Sequence, residues 1–275
     1  MQSRTIRAVV TTPRRPKEAD VAEAQAEAAR LGLPYVARRS HSWQRLVEET
    51  GAEAILACAT GDRALWLPGM QAPWRFHGGM AVLRIRRLIG RHEVDPFLLA
   101  CDLHPGDRLL DCTGGALADA IVAAHAVGEG GHVEAIEASP LLHAVTAHGA
   151  EEVRFGEPAI DAALGRIHVT LGDHREVLRT LPDRSFDVVY FDPMFREGTS
   201  APPGFDVVRA LADPRALSAE AVAEAKRVAR RRVVVQDRKT GGELERLGLE
   251  ELPVISRHAS TRFGGVILER ARAGR

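Results

Sequence analysis

The chain has 275 residues, of which 45% are hydrophobic and 27% are charged, as in a soluble protein with one large domain or one domain plus a smaller one. Lysine plus arginine and aspartate plus glutamate both number 37, so no global basic field points to nucleic acid. Cys58, Cys101 and Cys112 lack metal-ligand spacing, and no apolar window suits a signal peptide or a membrane span. We therefore expect a cytoplasmic protein with no metal and no membrane partner.

The first 75 residues predict a small α/β unit. Strands are predicted at residues 6–12, 54–59 and 64–67, and helices at 17–31 and 43–49. A stretch rich in proline and glycine, residues 68–76, predicts the boundary between this unit and a second domain. The expected domains are residues 1–75 and 76–275.

In the second domain, the sequence pattern predicts strands that alternate with helices. After helices at 79–88 and 95–101, strands are predicted at 108–111, 132–136, 167–171, 187–191 and 233–236, with helices at 117–127, 141–152, 175–181 and 218–229. This alternation predicts a doubly wound, mostly parallel sheet. The last two strands, 252–256 and 265–269, leave no room for a helix between them. They predict an antiparallel C-terminal hairpin that completes a seven-stranded Rossmann-like sheet.

Acidic residues occur at the ends of successive predicted strands: Asp111, Glu137, Asp173 and Asp192. The carboxyl ends of parallel strands meet at the edge where open α/β sheets bind ligands, so the series predicts a site. Thr113, Gly114 and Gly115 follow the first strand, where glycines let backbone N–H groups approach a ligand. Glu137 is placed to accept ribose hydroxyls, and Asp173 to accept an adenine amine. Each acid alone has a plainer alternative as a helix N-cap.

The segment DVVYFDPMF, residues 187–195, ends a strand with an acid, a rigid turn and an aromatic ring. Asp192 and the carbonyl of Pro193 are suited to accept the hydrogens of a planar amine, and Phe195 is suited to stack on the attached ring. The alternatives are ordinary Asp-Pro turn chemistry and core packing of Phe195. The following loop, residues 198–204, is predicted to act as a lid.

Four segments carry a family resemblance: DCTGGALADA, VEAIEAS, the Gly172-Asp173-His174 turn and DVVYFDPMF. Over about residues 76–270 the chain resembles class I methyltransferases that use S-adenosyl-L-methionine (SAM), related to the J-type guanine-N2 methyltransferases of small-subunit ribosomal RNA, and is closer still to bacterial relatives of these enzymes. The resemblance implies SAM as cofactor. The residues that it implies in SAM binding are Asp119, Glu137, Ala138, Asp173, His174 and Asp192.

The sequence departs from that family at two loop positions and after the catalytic motif. Leu117 stands where the family has a glycine, and Ala118 stands where it has an arginine. Residues 196–199 read REGT, where the family continues with proline and basic residues. These departures bear on the substrate more than on the cofactor.

Three functional hypotheses remain open from the sequence. The first is an N-methyltransferase acting on an exocyclic amine of an RNA base, guanine N2 of ribosomal RNA, with ribosomal RNA or a ribosomal particle as partner. Basic runs at residues 75–91 and 226–232 would then flank the site, although each is also typical of a solvated helix face. The second is methylation of a small molecule or a protein group. The third is a non-catalytic nucleotide-binding scaffold.

Overall fold

The computed structural model describes residues 6–193, 205–254 and 261–269. As far as these residues reach, the chain divides into two compact units. The first comprises Met1–His77, Ser139–Val153 and Ser200–Asp213, and the second comprises Gly78–Ala138, Arg154–Thr199 and Pro214–Arg275. The first unit thus includes two segments beyond the predicted residues 1–75. The division into functional domains stays a prediction.

The strands in the described ranges are β1 (Ala8–Thr11), β2 (Ala54–Ala59), β3 (Asp62–Trp66), β4 (Trp74–Arg75), β5 (Arg108–Asp111), β6 (His132–Glu137), β7 (Ile167–Leu171), β8 (Phe186–Phe191), β9 (Ala229–Arg238), β10 (Glu250–Glu251) and β11 (Thr261–Ile267). The helices are α1 (Glu18–Leu31), α2 (Trp43–Thr50), α3 (Gly79–Arg91), α4 (Pro96–Cys101), α5 (Ala118–Val127), α6 (Pro140–Glu152), α7 (Pro158–Leu164), α8 (His174–Thr180), α9 (Phe205–Leu211), α10 (Ala219–Val228) and α11 (Glu243–Leu247). None of these helices has both the length and the apolar character needed to cross a bilayer.

The first unit contains a four-stranded sheet in the order β1-β2-β3-β4. β1 and β2 are parallel, and the later strands are antiparallel to their neighbours. Residues 34–36 run along the free edge of β1, where Val36 N–H donates to the Val10 carbonyl at 2.8 Å. Buried Val9, Leu46, Ile55 and Trp66 belong to the core that closes this unit.

The second unit contains a seven-stranded sheet in the order β10-β11-β9-β8-β5-β6-β7. The five strands from β9 to β7 are mutually parallel, and β11 is antiparallel to both β9 and β10. The central strands are apolar on both faces, with Leu110, Val189 and Val233 fully buried, as expected for parallel strands covered on both sides. The predicted mostly parallel Rossmann-like sheet with an antiparallel C-terminal hairpin is confirmed.

The first strand of that hairpin was placed wrongly. The strand expected at residues 252–256 is the two-residue β10 at Glu250–Glu251, and its partner β11 begins at Thr261. The physical reason is the turn that precedes β10. Gly248 adopts a φ of +61° and ends α11, so the chain is extended again by Glu250, where β10 begins to pair with β11. Helices α7, α9 and α11 were also missing from the sequence expectation.

Asp237, at the end of β9, stabilises the pairing of the C-terminal strands with the rest of the sheet. Its fully buried carboxylate accepts from the Arg262 guanidinium at 3.0 Å and from the backbone N–H groups of Arg238 at 2.8 Å and Glu243 at 3.1 Å. A Cβ added to Gly241 would lie 2.0 Å from this carboxylate. Without this carboxylate, two backbone N–H groups and the Arg262 guanidinium lose an acceptor, and each such loss in a buried place costs about 1–3 kcal/mol, although Arg262 keeps its pair with Glu245 at 2.6 Å.

Asp237→Ala is therefore expected to lower the free energy of unfolding by roughly 3 kcal/mol. Glu251→Gln is the matched control because it removes an exposed carboxylate 3.5 Å from the same arginine, a type of pair that contributes about 1 kcal/mol or less. The measurement is urea unfolding of each variant at neutral pH. Equal midpoints for the two variants would contradict the role given to Asp237.

Candidate functional site

The carboxyl ends of β5, β6 and β8 bring three acids of the predicted series to one edge of the sheet. Asp111 is in register with Ala135 of β6 and with Tyr190 of β8. Glu137 ends β6, and Asp192 follows β8 directly. Asp111 and Glu137 are buried, whereas Asp192 is partly exposed. The three carboxylates thus lie at one edge of the sheet.

The glycine loop after β5 lies tightly against β6. Gly114 N–H donates to the Ile136 carbonyl at 2.8 Å, and a Cβ on this residue would lie 3.2 Å from that oxygen. Gly115, at a φ of +49°, donates its N–H to the Glu137 carboxylate at 2.9 Å. The two glycines therefore permit a close approach of the backbone and fix the orientation of Glu137. Ala138, next along the chain, is partly exposed at the same strand end.

Leu117 occupies the position where the resembled family has a glycine, and it adopts the left-handed conformation with φ +61°. Glycine takes this conformation without steric cost, whereas leucine is strained in it. The buried Leu117 side chain and its N–H bond to the Gly114 carbonyl at 2.7 Å hold the conformation. The loop thus keeps a glycine-like backbone despite the substitution.

Thr113 connects Asp111 with the end of β8. Its N–H and its hydroxyl both donate to the Asp111 carboxylate, at 2.9 and 3.1 Å, and its hydroxyl oxygen accepts from the Asp192 N–H at 2.7 Å. Burial raises the pKa of Asp111 to about 7; the charges of Asp119 and Glu137 add to the rise, and the bonds from Thr113 oppose it. Asp111 therefore changes its charge near neutral pH.

Arg84 of α3 brings a positive charge to this acidic edge, and the sequence alone gave no sign of its role. Its guanidinium contacts Asp119 at 2.5 Å and both oxygens of Asp95 at 2.7 and 2.9 Å. Burial alone would lower the pKa of Arg84, but the two carboxylates raise it above its ordinary value. The loop lacks the family's arginine at Ala118, and the charge beside Asp119 comes from another helix.

A hydrogen-bonded chain runs from Asp119 to Asp192. The Tyr190 hydroxyl lies 3.0 Å from the Asp119 carboxylate and 3.1 Å from Oε1 of Gln236, and Nε2 of Gln236 donates to Asp192 at 3.1 Å. Burial raises the pKa of Asp192 well above its ordinary value, with Asp119 and Asp111 adding to the rise and Arg84 and the Gln236 amide opposing it. Sequence reasoning missed Gln236, although it is a polar residue near the end of the next strand in the sheet.

Asp173 caps α8 by accepting the Arg175 N–H at 3.0 Å, the alternative that its position also predicted. Its carboxylate also pairs with the guanidinium groups of Arg175 at 2.9 Å and Arg215 at 2.8 Å. Burial alone would raise the pKa of Asp173, but these hydrogen bonds and ion pairs lower it to about 2. The adjacent His174 ring packs edge-on against Phe191 at 5.6 Å. A contact from Asp173 to adenine stays a prediction.

The remaining residues of the predicted site divide between the described and the undescribed parts of the chain. Pro193 is partly exposed beside Asp192. Phe195 and the proposed lid at residues 198–204 lie outside the described residues. Within the described ranges, no cluster of three or more histidine, cysteine or acidic side chains is arranged to hold a metal ion.

Comparisons with known proteins agree with this geometry. Residues 75–259 match the family described as "Putative SAM-dependent methyltransferase". The chain is 35% identical over 259 residues to "Uncharacterized protein YpiP" of Bacillus subtilis (strain 168), covering 94% of this chain and 98% of that protein. It is 30% identical over 183 residues to ribosomal RNA small subunit methyltransferase J of Pseudomonas aeruginosa, covering 64% of each chain.

A solved structure shares the fold. The SAM-dependent methyltransferase NGO1261 from Neisseria gonorrhoeae aligns with a TM-score of 0.58 at 20% sequence identity, covering 96% of this chain and 100% of that chain. The family match spans more than half of the sequence and contains the glycine loop and the acidic strand ends. This chain therefore belongs to the SAM-dependent methyltransferases, and its cofactor is S-adenosyl-L-methionine.

Proposed function

We propose that the protein methylates an exocyclic amine of a base in RNA, with guanine N2 of ribosomal RNA as the leading acceptor. The observation that carries the assignment of an amine as acceptor is the position of Asp192 and Pro193. An acid and a carbonyl follow β8 directly, and the Asp192 backbone is held by Thr113 of the cofactor loop. Acceptors of this kind orient an amine toward a methyl donor bound over the same loop.

The acidic edge fits the charge of the cofactor. SAM carries a positively charged sulfonium and an ammonium group, and when bound it supplies the methyl group. Asp111, Glu137 and Asp192 lie at one edge, and in the described structure the nearby Arg84 is already shared between Asp95 and Asp119. An excess of carboxylates at the site is relieved by a cationic ligand. We assign Glu137 to the ribose hydroxyls and the glycine loop to the amino acid end.

Asp192 has a defined part in the transfer. The lone pair of an amine on an aromatic base is delocalised into the ring, which makes the nitrogen a poor nucleophile. Asp192 and the Pro193 carbonyl accept its two hydrogens and favour the tetrahedral nitrogen that attacks in line. The attack leaves a proton on the nitrogen, and an ionised Asp192 accepts it. Gln236 orients the carboxylate by its bond at 3.1 Å.

The cysteines do not support methylation of a base carbon through a covalent thiol adduct. Cys112 is on the cofactor loop, but it is buried, and burial raises the pKa of its thiol well above the ordinary value. A buried, protonated thiol is a poor nucleophile. All three cysteines are free and buried, in agreement with the reducing cytoplasm that we propose as the location.

One observation favours the second candidate, a small-molecule or protein acceptor. The basic runs expected to bind RNA are largely neutralised within the protein. Arg86 pairs with Glu157, Arg227 with Asp183 and Glu224, Arg231 with Asp107, and Arg232 with Asp102. The RNA hypothesis then depends on the similarity to methyltransferase J. Membership of an enzyme family argues against the scaffold hypothesis.

The test combines cofactor binding with identification of the acceptor. Calorimetry is expected to give micromolar binding of SAM, about 8 kcal/mol, that is lost in Glu137→Ala. Methyl-tritiated SAM is then incubated with unmodified small ribosomal subunits, and with a cell extract divided into RNA, protein and small molecules. Label in N2-methylguanosine supports the proposal. Label confined to the protein or small-molecule fraction would replace RNA with the second candidate.

Asp111→Asn is expected to change stability and cofactor binding in opposite directions. Because the folded pKa of about 7 lies above the ordinary aspartate value, wild-type stability falls as pH rises between about 4 and 7. Asparagine has no such ionisation and keeps an oxygen for the Thr113 N–H. The variant should therefore have a higher Tm than the wild type at pH 8, with the advantage shrinking toward pH 5, and it should bind SAM more weakly.

The matched control for this variant is Asp187→Asn at the amino end of β8, on the opposite edge of the same sheet. Asp187 accepts the Arg108 N–H at 2.8 Å, and Arg230 is 3.4 Å away. Its variant should bind SAM as the wild type does. A lower Tm for Asp111→Asn at pH 8 would contradict the cost assigned to the buried charge.

Asp192→Asn is expected to reduce methyl transfer at least tenfold, a larger loss than in SAM affinity. In the wild type kcat/KM should rise with pH through an inflection above the ordinary aspartate range, because a protonated Asp192 does not accept the amine hydrogens. The variant should lack this inflection. Rates between about pH 5 and 9 test it, with Asp183→Asn, an exposed acid, as control. The same inflection in Asp192→Asn would assign it to another group.

A further inference from the structure

The first unit brings two arginine-bearing loops to one edge of its sheet. Residues 34–36 run parallel to β1: Val10 N–H donates to the Pro34 carbonyl at 2.9 Å, and Val36 N–H donates to the Val10 carbonyl at 2.8 Å. Past the ends of these adjacent parallel segments the chain continues to Arg14 and to Arg38. Open α/β sheets bind ligands at the carboxyl ends of parallel strands. The two loops therefore leave from the edge where a ligand is expected.

Arg38 is held in place by an aromatic face. Its side chain is buried, with the residue 7% exposed, and its guanidinium carbon lies 3.4 Å from the centroid of the Trp43 ring. Trp43 in turn stacks on Trp66, with ring centroids 6.2 Å apart. Nε of Arg38 donates to the His41 carbonyl at 3.3 Å. Within the described residues, the two terminal NH₂ groups have no hydrogen-bond acceptor.

The charge of Arg38 has no counterpart among the described side chains. Burial lowers the pKa of Arg38 to about 10, and the positive charge of Arg14 adds to this decrease. Arg63, equally buried at 7% exposure in the same unit, shows the ordinary arrangement: it pairs with Glu23 and donates to the Ala59 carbonyl. A buried cation beside a like charge costs free energy unless an anion compensates it.

We propose that Arg38 and Arg14 form a phosphate-binding site at the carboxyl edge of the first unit's sheet. A guanidinium forms paired hydrogen bonds with phosphate oxygens, and a tetrahedral phosphate offers enough oxygens for two such groups, whereas one carboxylate satisfies a single guanidinium best. The exposed Arg15 and Arg39 extend the positive surface. The site does not rest on the proposed methyl transfer, because it contains no residue assigned to cofactor or acceptor.

The first measurement is the Tm of the full chain in inorganic phosphate and in chloride at equal ionic strength. The wild type is expected to melt higher in phosphate, by roughly 3 °C at saturation. Arg38→Met keeps the aliphatic stem over Trp43 and removes the charge. It should be at least as stable as the wild type in chloride and should gain nothing from phosphate. Arg14→Gln, at an exposed loop position, should lose part of the gain without a risk to folding.

Arg45→Gln is the matched control, since it removes an exposed arginine of the same unit that already pairs with Glu49 at 2.7 Å. It should respond to phosphate as the wild type does. A wild type that does not respond, or an equal gain in all three variants, would overturn the site. If Arg38→Met melts lower than the wild type by the same amount in chloride and in phosphate, the variant still gains the full stabilisation by phosphate. That result would show that Arg38 has a purely structural role.

A second measurement identifies the source of the phosphate. Binding of a short single-stranded RNA is followed against salt concentration in the wild type, Arg38→Met and Arg14→Gln. If the phosphate belongs to an RNA backbone, each variant reduces the magnitude of the negative slope of log K against log salt by about 0.7, the value for one phosphate contact on a single strand. A Tm gain with an unchanged RNA slope assigns the site to free phosphate or a small phosphate ester. SAM binding by calorimetry should be unchanged in both variants, so a failure here leaves the methyltransferase proposal standing.

Discussion

Repulsion among carboxylates at the carboxyl edge of the seven-stranded sheet is the constraint around which the methyltransferase site is organised. The charge of Asp119 adds to the rise in the pKa of Asp111 and of Asp192, and the nearby Arg84 is shared between Asp119 and Asp95. Burial raises the pKa of Asp111 and of Asp192, and the negative charge that this edge does not neutralise raises it further. A cationic cofactor lowers this electrostatic cost on binding, so part of the stability lost at the site is recovered as affinity.

The sheet positions these acids because its strands are parallel and buried on both faces. Apolar runs in β5, β8 and β9 leave polar side chains only near the strand ends, and the parallel arrangement places those ends together. Strand β11 inserts between β9 and β10 and secures β9 from its far side, with Arg262 paired to Asp237. Gln236, next to Asp237, is thereby held against Asp192. The C-terminal strands thus support a residue of the site from a distance in sequence.

The sequence predicted the features that depend on local pattern. Alternating strands and helices predicted the sheet, and Asp111, Glu137 and Asp192 emerged together because each ends a βα unit. Contacts between distant segments were not accessible in this way. Arg84 reaches Asp119 across 35 positions and Arg215 reaches Asp173 across 42, and neither is signalled by a spacing. The two-residue β10 was misplaced because so short a strand is set by its turn and its partner rather than by its own residues.

At the sheet edge where each unit is expected to bind its ligand, the surplus charge of the side chains is negative in the second unit and positive in the first. At the methyltransferase edge the carboxylates outnumber the nearby cations, and the ligand is a sulfonium. At the edge of the first unit Arg38 and Arg14 have no carboxylate among the described residues, and the matching ligand is an anion. In both places the imbalance is partly buried, where solvent does not screen it. Elsewhere, as at Arg63 and Arg262, buried charge is paired within the protein, so unpaired buried charge distinguishes ligand sites from structural ones.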